Sequence, residues 1–165
     1  MLHRTQHILP VHVKRILYDC IVACHFQYCN LVWGSMTCTN IGKLLQKRAI
    51  RIIASASYTA HTGLLFQKFN IMTLDKLHNY NAARFYRNWK NGEIFSDVIS
   101  GLILINPQYY SRRSPCWKEA IARTNIGMQS ILYFLPKLLN NLSDQNIFIE
   151  NISDRSLKFL INYRL

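Results

Sequence analysis

The chain has 165 residues, the length of one ordinary domain, and half of them are hydrophobic against 17% charged, a balance too apolar for a disordered tail. Apolar runs such as Cys20 to Cys24 and Leu102 to Ile105 stop far short of the ~18 residues that a membrane helix needs, and Met1-Leu2-His3-Arg4 opens no signal peptide, so a cytoplasmic or nuclear place is expected. Lys and Arg number 20 against 8 Asp and Glu, a formal net charge of +12, which points to a polyanion, nucleic acid first, although a solubility device or an acidic partner domain would leave the same excess.

Pro10 suits the first turn of a helix, and from there Val13, Ile16, Leu17, Cys20, Ile21, Cys24 and Tyr28 recur at three- and four-residue steps, predicting one long amphipathic helix with His12, Arg15 and Asp19 on another side. Gly34 and Ser35 stop it. Cys20, Cys24, Cys29, Cys38 and Cys116 are odd in number, so a disulfide framework is not expected. The spacing of the first three, even with His25 recruited, follows a helix face rather than the tight-turn pairs of zinc sites, and small buried hydrophobes are the plainer reading.

Thr39 or Asn40 offers an N-cap for a second helix to about Ile53, with Leu45, Ala49, Ile52 and Ile53 expected on its buried face. Lys43, Lys47 and Arg51 repeat every four residues and stack along one side, widened by Arg48. Like charges so spaced repel by a few tenths of a kcal/mol per pair, a cost that an anion lying across them would remove. A solvated basic face and a phosphate contact both fit the stripe.

Thr62 is placed to cap a short helix ending near Asn70, beside a His61 with neither nucleophile nor carboxylate pair around it. A third long helix starts at Thr73, carries Asp75 in its first turn and Leu74, Leu77, His78, Ala82, Phe85 and Trp89 on one face, and ends at Asn91-Gly92. Arg84 and Arg87 belong to it. A further apolar stretch, Ile94 to Ile105, is broken at Ser100-Gly101 and closed by Asn106-Pro107.

Tyr109-Tyr110-Ser111-Arg112-Arg113-Ser114-Pro115 reads as a loop whose aromatic faces and guanidinium groups suit base stacking and phosphate neutralisation. Asn125 to Tyr133 alternates loosely, with Ile126, Met128 and Leu132 to one side, and predicts a short strand or hairpin around Gly127. Pro136 is expected to open a helix holding Leu138, Leu139 and Leu142, and Ser153 to cap a last one with Leu157, Leu160 and Ile161 on one face. The fold expected is mainly α, a helical bundle-like region over 1–106 and a mixed tail over 107–165 with a small β-hairpin, possible as one domain with a soft boundary near Pro107.

Several segments resemble, in order, the region downstream of the polymerase domain in jockey-like non-LTR retrotransposon reverse transcriptases, including copies from ticks. Phe26-Gln27-Tyr28-Cys29-Asn30-Leu31-Val32-Trp33-Gly34 is similar to the family's segment ending in Val-Trp-Gly, and Leu45-Gln46-Lys47-Arg48-Ala49-Ile50-Arg51-Ile52-Ile53 to its Gln-Lys-Arg-Ala-Ile-Arg helix. His61-Thr62 with Leu65-Phe66, Tyr110-Ser111-Arg112-Arg113-Ser114 and Arg123-Thr124-Asn125-Ile126-Gly127 resemble later blocks. The stretch from Asn40 to Leu45 is shorter than the family's usual one, as in a decaying copy.

The resemblance implies RNA-directed DNA polymerase chemistry in an upstream domain, where a Tyr-x-Asp-Asp turn holds magnesium. This sequence has no Asp-Asp; its acids are scattered at Asp19, Asp75, Glu93, Asp97, Glu119, Asp144, Glu150 and Asp154, whereas two-metal phosphoryl transfer needs carboxylates converging on cations ~4 Å apart. The chain alone is therefore expected to be non-catalytic, with no cofactor of its own, and Met1 to be an internal methionine or a gene-model start. Its expected partners are RNA or DNA and the polymerase domain, with Lys43, Lys47, Arg48, Arg51, Arg84, Arg87, Tyr110, Arg112, Arg113 and Arg123 as nucleic-acid contacts. A purely structural appendage and a functionless remnant are the alternatives.

Overall fold

The computed structural model describes residues 4, 7–35, 39–102, 116–147, 149 and 152–164. In chain order these form α1 (Val11–Leu17), a π-helical turn (Tyr18–Ala23), α2 (Cys24–Gln27), α3 (Asn30–Trp33), α4 (Thr39–Ile53), α5 (Gly63–Lys68), α6 (Leu74–Lys90), α7 (Asp97–Ser100), α8 (Asn125–Gln129), α9 (Ile131–Asp144) and α10 (Asp154–Arg164). The fold is mainly helical, with no strand among the described residues. Two compact units divide the chain, Met1–His78 and Asn79–Leu165. The division falls inside α6; Pro107, the expected soft boundary, lies outside the described residues.

In the first unit Tyr18, Ala49, Ile50, Ile53, Phe66 and Ile71 form a buried cluster, with Leu17, Val22, Ala23, Ile52, Leu65 and Phe69 packed around it. The long first helix departs from its predicted face: Ile16, Ile21, Cys20, Cys24 and Tyr28 are exposed, while Lys14 and Tyr18 are buried. Two physical causes act together. The π-helical turn widens the helix between Tyr18 and Ala23 and breaks the 3.6-residue period on which the expectation rested. The two polar tips also find partners, the Lys14 ammonium donating to Ser55 Oγ at 2.8 Å and Tyr18 Oη accepting from the buried Gln46 Nε2 at 3.1 Å.

Gly34 ends α3 where there is no room for a side chain. A Cβ there would lie 2.3 Å from His78 Nδ1 and 2.5 Å from the Asn30 carbonyl, which accounts for a glycine after Val32-Trp33. Ser55, Asn70, Gly92 and Asn146 each take a left-handed φ, 51°, 49°, 76° and 57°, just past the ends of α4, α5, α6 and α9. At each, the following N–H turns back to a carbonyl of the last turn: Ala56 to Arg51, Ile71 to Phe66, Glu93 to Asn88 and Ile147 to Leu142, all at 2.9–3.0 Å. These bonds satisfy the carbonyls that a helix end leaves open, and Ile71 and Ile147 are buried as the motif's apolar plug.

The second unit corrects two expectations. No hairpin surrounds Gly127: Asn125–Gln129 is the short helix α8, because Thr124 Oγ1 accepts from the Gly127 N–H at 3.1 Å and caps it, and Ser130 Oγ accepts from Leu132 N–H at 3.3 Å to start α9 directly after. With two caps in sequence and Ile126 exposed, the local hydrogen bonds outweigh the loose alternation that suggested a strand. Pro136 does not open the next helix but sits inside α9. An interior proline costs about 3 kcal/mol, and the burial of Leu135, Leu138, Leu139 and Leu142 along one stripe offsets it.

Two polar side chains bind this unit together. Asn140 on α9 treats the Trp117 backbone as a strand neighbour would, accepting from its N–H at 2.9 Å and donating to its carbonyl at 3.0 Å, with Glu119 Oε1 at 3.1 Å from the same amide nitrogen. The Trp117 ring then meets Tyr86 edge-on, centroids 5.7 Å apart. Arg87 on α6 reaches Asp154 at the start of α10 and donates to the Ile152 carbonyl at 2.9 Å.

Candidate nucleic-acid interface

The face that α4 turns inward is set by Gln46. Its Nε2 donates to Tyr18 Oη and, at 2.8 Å, to the Met72 carbonyl, and its Oε1 accepts from the Leu74 N–H at 3.2 Å. A buried amide with its hydrogen bonds filled holds its place firmly, because an unfilled one is costly. The buried side therefore runs through Gln46, Ala49, Ile50 and Ile53, and Leu45, expected inside, is 51% exposed. Turning Gln46 inward turns the cationic residues out.

Lys47 and Arg48 are exposed on this outer side, with Arg51 and Lys43 half-buried at its margins. Lys43 pairs with Asp75 of α6 at 2.7 Å. Arg51 donates to the Ala60 carbonyl at 3.0 Å, anchoring the loop that follows α4. In that loop the Arg48 and Arg51 guanidinium carbons lie 5.8 and 5.9 Å from the centroid of Tyr58. Tyr58 was not among the residues expected to touch nucleic acid; the signal that could have found it is a lone aromatic in the small-residue run Ser55-Ala56-Ser57-Tyr58-Thr59-Ala60 directly after a basic helix.

Arg84, Arg87 and Arg123 belong to the second unit, and Tyr110, Arg112 and Arg113 lie outside the described residues. Arg87 is buried and engaged with Asp154 and the Ile152 carbonyl, and Arg84 Nε stands 3.6 Å from the same carboxylate. Arg123 is exposed.

Burial pushes the Tyr18 and Tyr80 hydroxyls upward and the His78 imidazole downward from their ordinary values. Tyr18 and His78 are packed groups of the first unit, away from the open face of α4. Among the described residues no group of three His, Cys, Asp or Glu is placed to hold a metal ion, and Cys20, Cys24, Cys29 and Cys116 are free thiols. No helix of the described residues is long and apolar enough to cross a membrane. No family model, curated protein or solved structure matches the chain.

Proposed function

We propose that the chain contacts nucleic acid through the outer face of α4, as a non-catalytic accessory part of a non-LTR retrotransposon reverse transcriptase. The observation that carries this reading is the exposure of Lys47 and Arg48 beside Arg51 on the side of the helix opposite its buried face. Stacked cations there repel one another, and a row of phosphates along the helix converts that repulsion into attraction. The collinear blocks that resemble the retroelement enzymes support the family, and the lack of an Asp-Asp pair supports the non-catalytic role.

The binding is electrostatic in this reading, so affinity for an oligonucleotide falls steeply with added salt. Replacing Lys47 and Arg48 together by alanine is expected to weaken binding and to flatten the plot of log affinity against log salt by about one unit for each phosphate no longer neutralised. Filter-binding titrations at several salt concentrations measure both quantities. Absence of affinity at low salt, or a double variant that binds like the parent, refutes the assignment; extension of a primer by the purified chain with magnesium and nucleotides refutes the non-catalytic part.

A second reading is favoured by Ile41, Leu44 and Leu45, which are exposed on α4 itself. An apolar row on an outward helix face suits packing against another protein domain, and here it would make the chain a module that completes the polymerase. Its mark is self-association of the isolated chain that Leu44→Gln with Leu45→Gln abolishes in sedimentation, with nucleic-acid affinity unaltered.

A further inference from the structure

Tyr58 stands in the loop after α4 with 72% of its surface open. It occupies the second position of a turn closed by the Ala60 N–H donating to the Ser57 carbonyl at 3.1 Å, and the far side of that turn is tied to the helix by Arg51 through the Ala60 carbonyl at 3.0 Å. Its chain neighbours are Ala56, Ser57, Thr59 and Ala60, so the ring projects from a run of small residues. The Arg48 and Arg51 guanidinium carbons lie 5.8 and 5.9 Å from the ring centroid, and Lys47 is exposed on the same helix.

A duplex and a single strand ask different things of such a surface. Both offer phosphates to Lys47 and Arg48, but the bases of a duplex are stacked on one another, whereas an unpaired base has a free π-face that gains by covering an aromatic ring. A ring held on a closed turn forfeits little freedom when a base settles on it, so most of the stacking energy survives as affinity. Cations beside the ring meet the phosphate carried by the stacked nucleotide.

We infer that Tyr58 is a stacking platform for an unpaired base, and that with Lys47 and Arg48 it makes this face prefer single-stranded nucleic acid to duplex. The inference rests on the reading that α4 contacts nucleic acid and adds the form of the strand.

The test uses the full chain and labelled oligonucleotides of about 12 residues, within the footprint of known stacking surfaces, as single-stranded DNA, single-stranded RNA and duplex DNA of one sequence. Tyr58→Ala is expected to lower single-strand affinity by about tenfold, towards the lower end of the range for one stacked base, and duplex affinity by less than about twofold. Tyr58→Phe, which keeps the ring, is expected to bind single strands like the parent. A loss with either kind of single strand supports the inference and names the strand. Equal losses for single strand and duplex overturn it, as does a Tyr58→Ala variant that binds single strands like the parent while the Lys47 and Arg48 double variant does not bind them; that last result leaves the α4 reading standing. A parent chain that binds none of the three probes removes both readings together. Melting curves confirm that the alanine variant is folded, as expected for so open a side chain.

Discussion

His78 shows how one side chain ties pH to the stability of the first unit. Its Nδ1 faces the Asn30 carbonyl at 3.2 Å, and since a carbonyl only accepts, that nitrogen carries the proton and donates. Burial pushes the imidazole below its ordinary value of 6.5, against smaller opposing effects of the Asn30 carbonyl and of Asp75. Between the lowered folded value and about 6.5 the unfolded chain binds a proton that the folded chain refuses, so stability is full above that window, declines as pH falls through it and levels off below. Urea titrations from about pH 8 to pH 5 are expected to show that decline in the parent and a weaker one in His78→Gln; parallel curves for the two proteins exclude the effect. The apolar spacing of the third helix was enough to put His78 on its inner face. Its partner Asn30 lies 48 residues away, and no local pattern announces such a pairing.

At the scale of the element, α4 separates what a helix is from how it is turned. Although Thr39, one of the two expected N-caps, is itself helical, the extent of the helix, Thr39–Ile53, follows the local sequence pattern to its end at Ile53. Its rotation does not, because apolar residues are spread around much of the helix and a count of them favours Leu45 as much as Ile50. Gln46 decides the matter through Tyr18, Met72 and Leu74. Gln46→Leu leaves the Leu74 N–H and the Met72 carbonyl without these partners and is expected to cost roughly 1–3 kcal/mol in urea unfolding. A variant as stable as the parent would mean that Leu45 and not Gln46 faces the core. The segment at Gly127 carries a similar lesson: alternation over a few residues is a weak strand signal, and the Thr124 and Ser130 caps win locally.

For the whole molecule, the positive charge divides into cations engaged within the fold and cations left exposed. Arg87 is of the first kind, its guanidinium spread over Asp154 and the Ile152 carbonyl. Lys47 and Arg48 are of the second. Arg87→Met is accordingly expected to lower the stability of the second unit by roughly 1.5–3 kcal/mol, the range for hydrogen bonds to charged groups, while the affinity for an oligonucleotide stays at the parent's value. Calorimetry and filter binding on one preparation check both, and a matching drop in affinity would return Arg87 to the binding surface. Composition, caps and periodicity were sufficient for a mainly helical chain with a basic second helix, because those signals act over a turn or two of backbone. Which way α4 faces depends on hydrogen bonds between residues far apart in the chain, Gln46 with Tyr18, Met72 and Leu74, whereas Tyr58 is held locally by the Ser57–Ala60 turn and by Arg51 on the Ala60 carbonyl; the long-range bonds exist only once the units have folded.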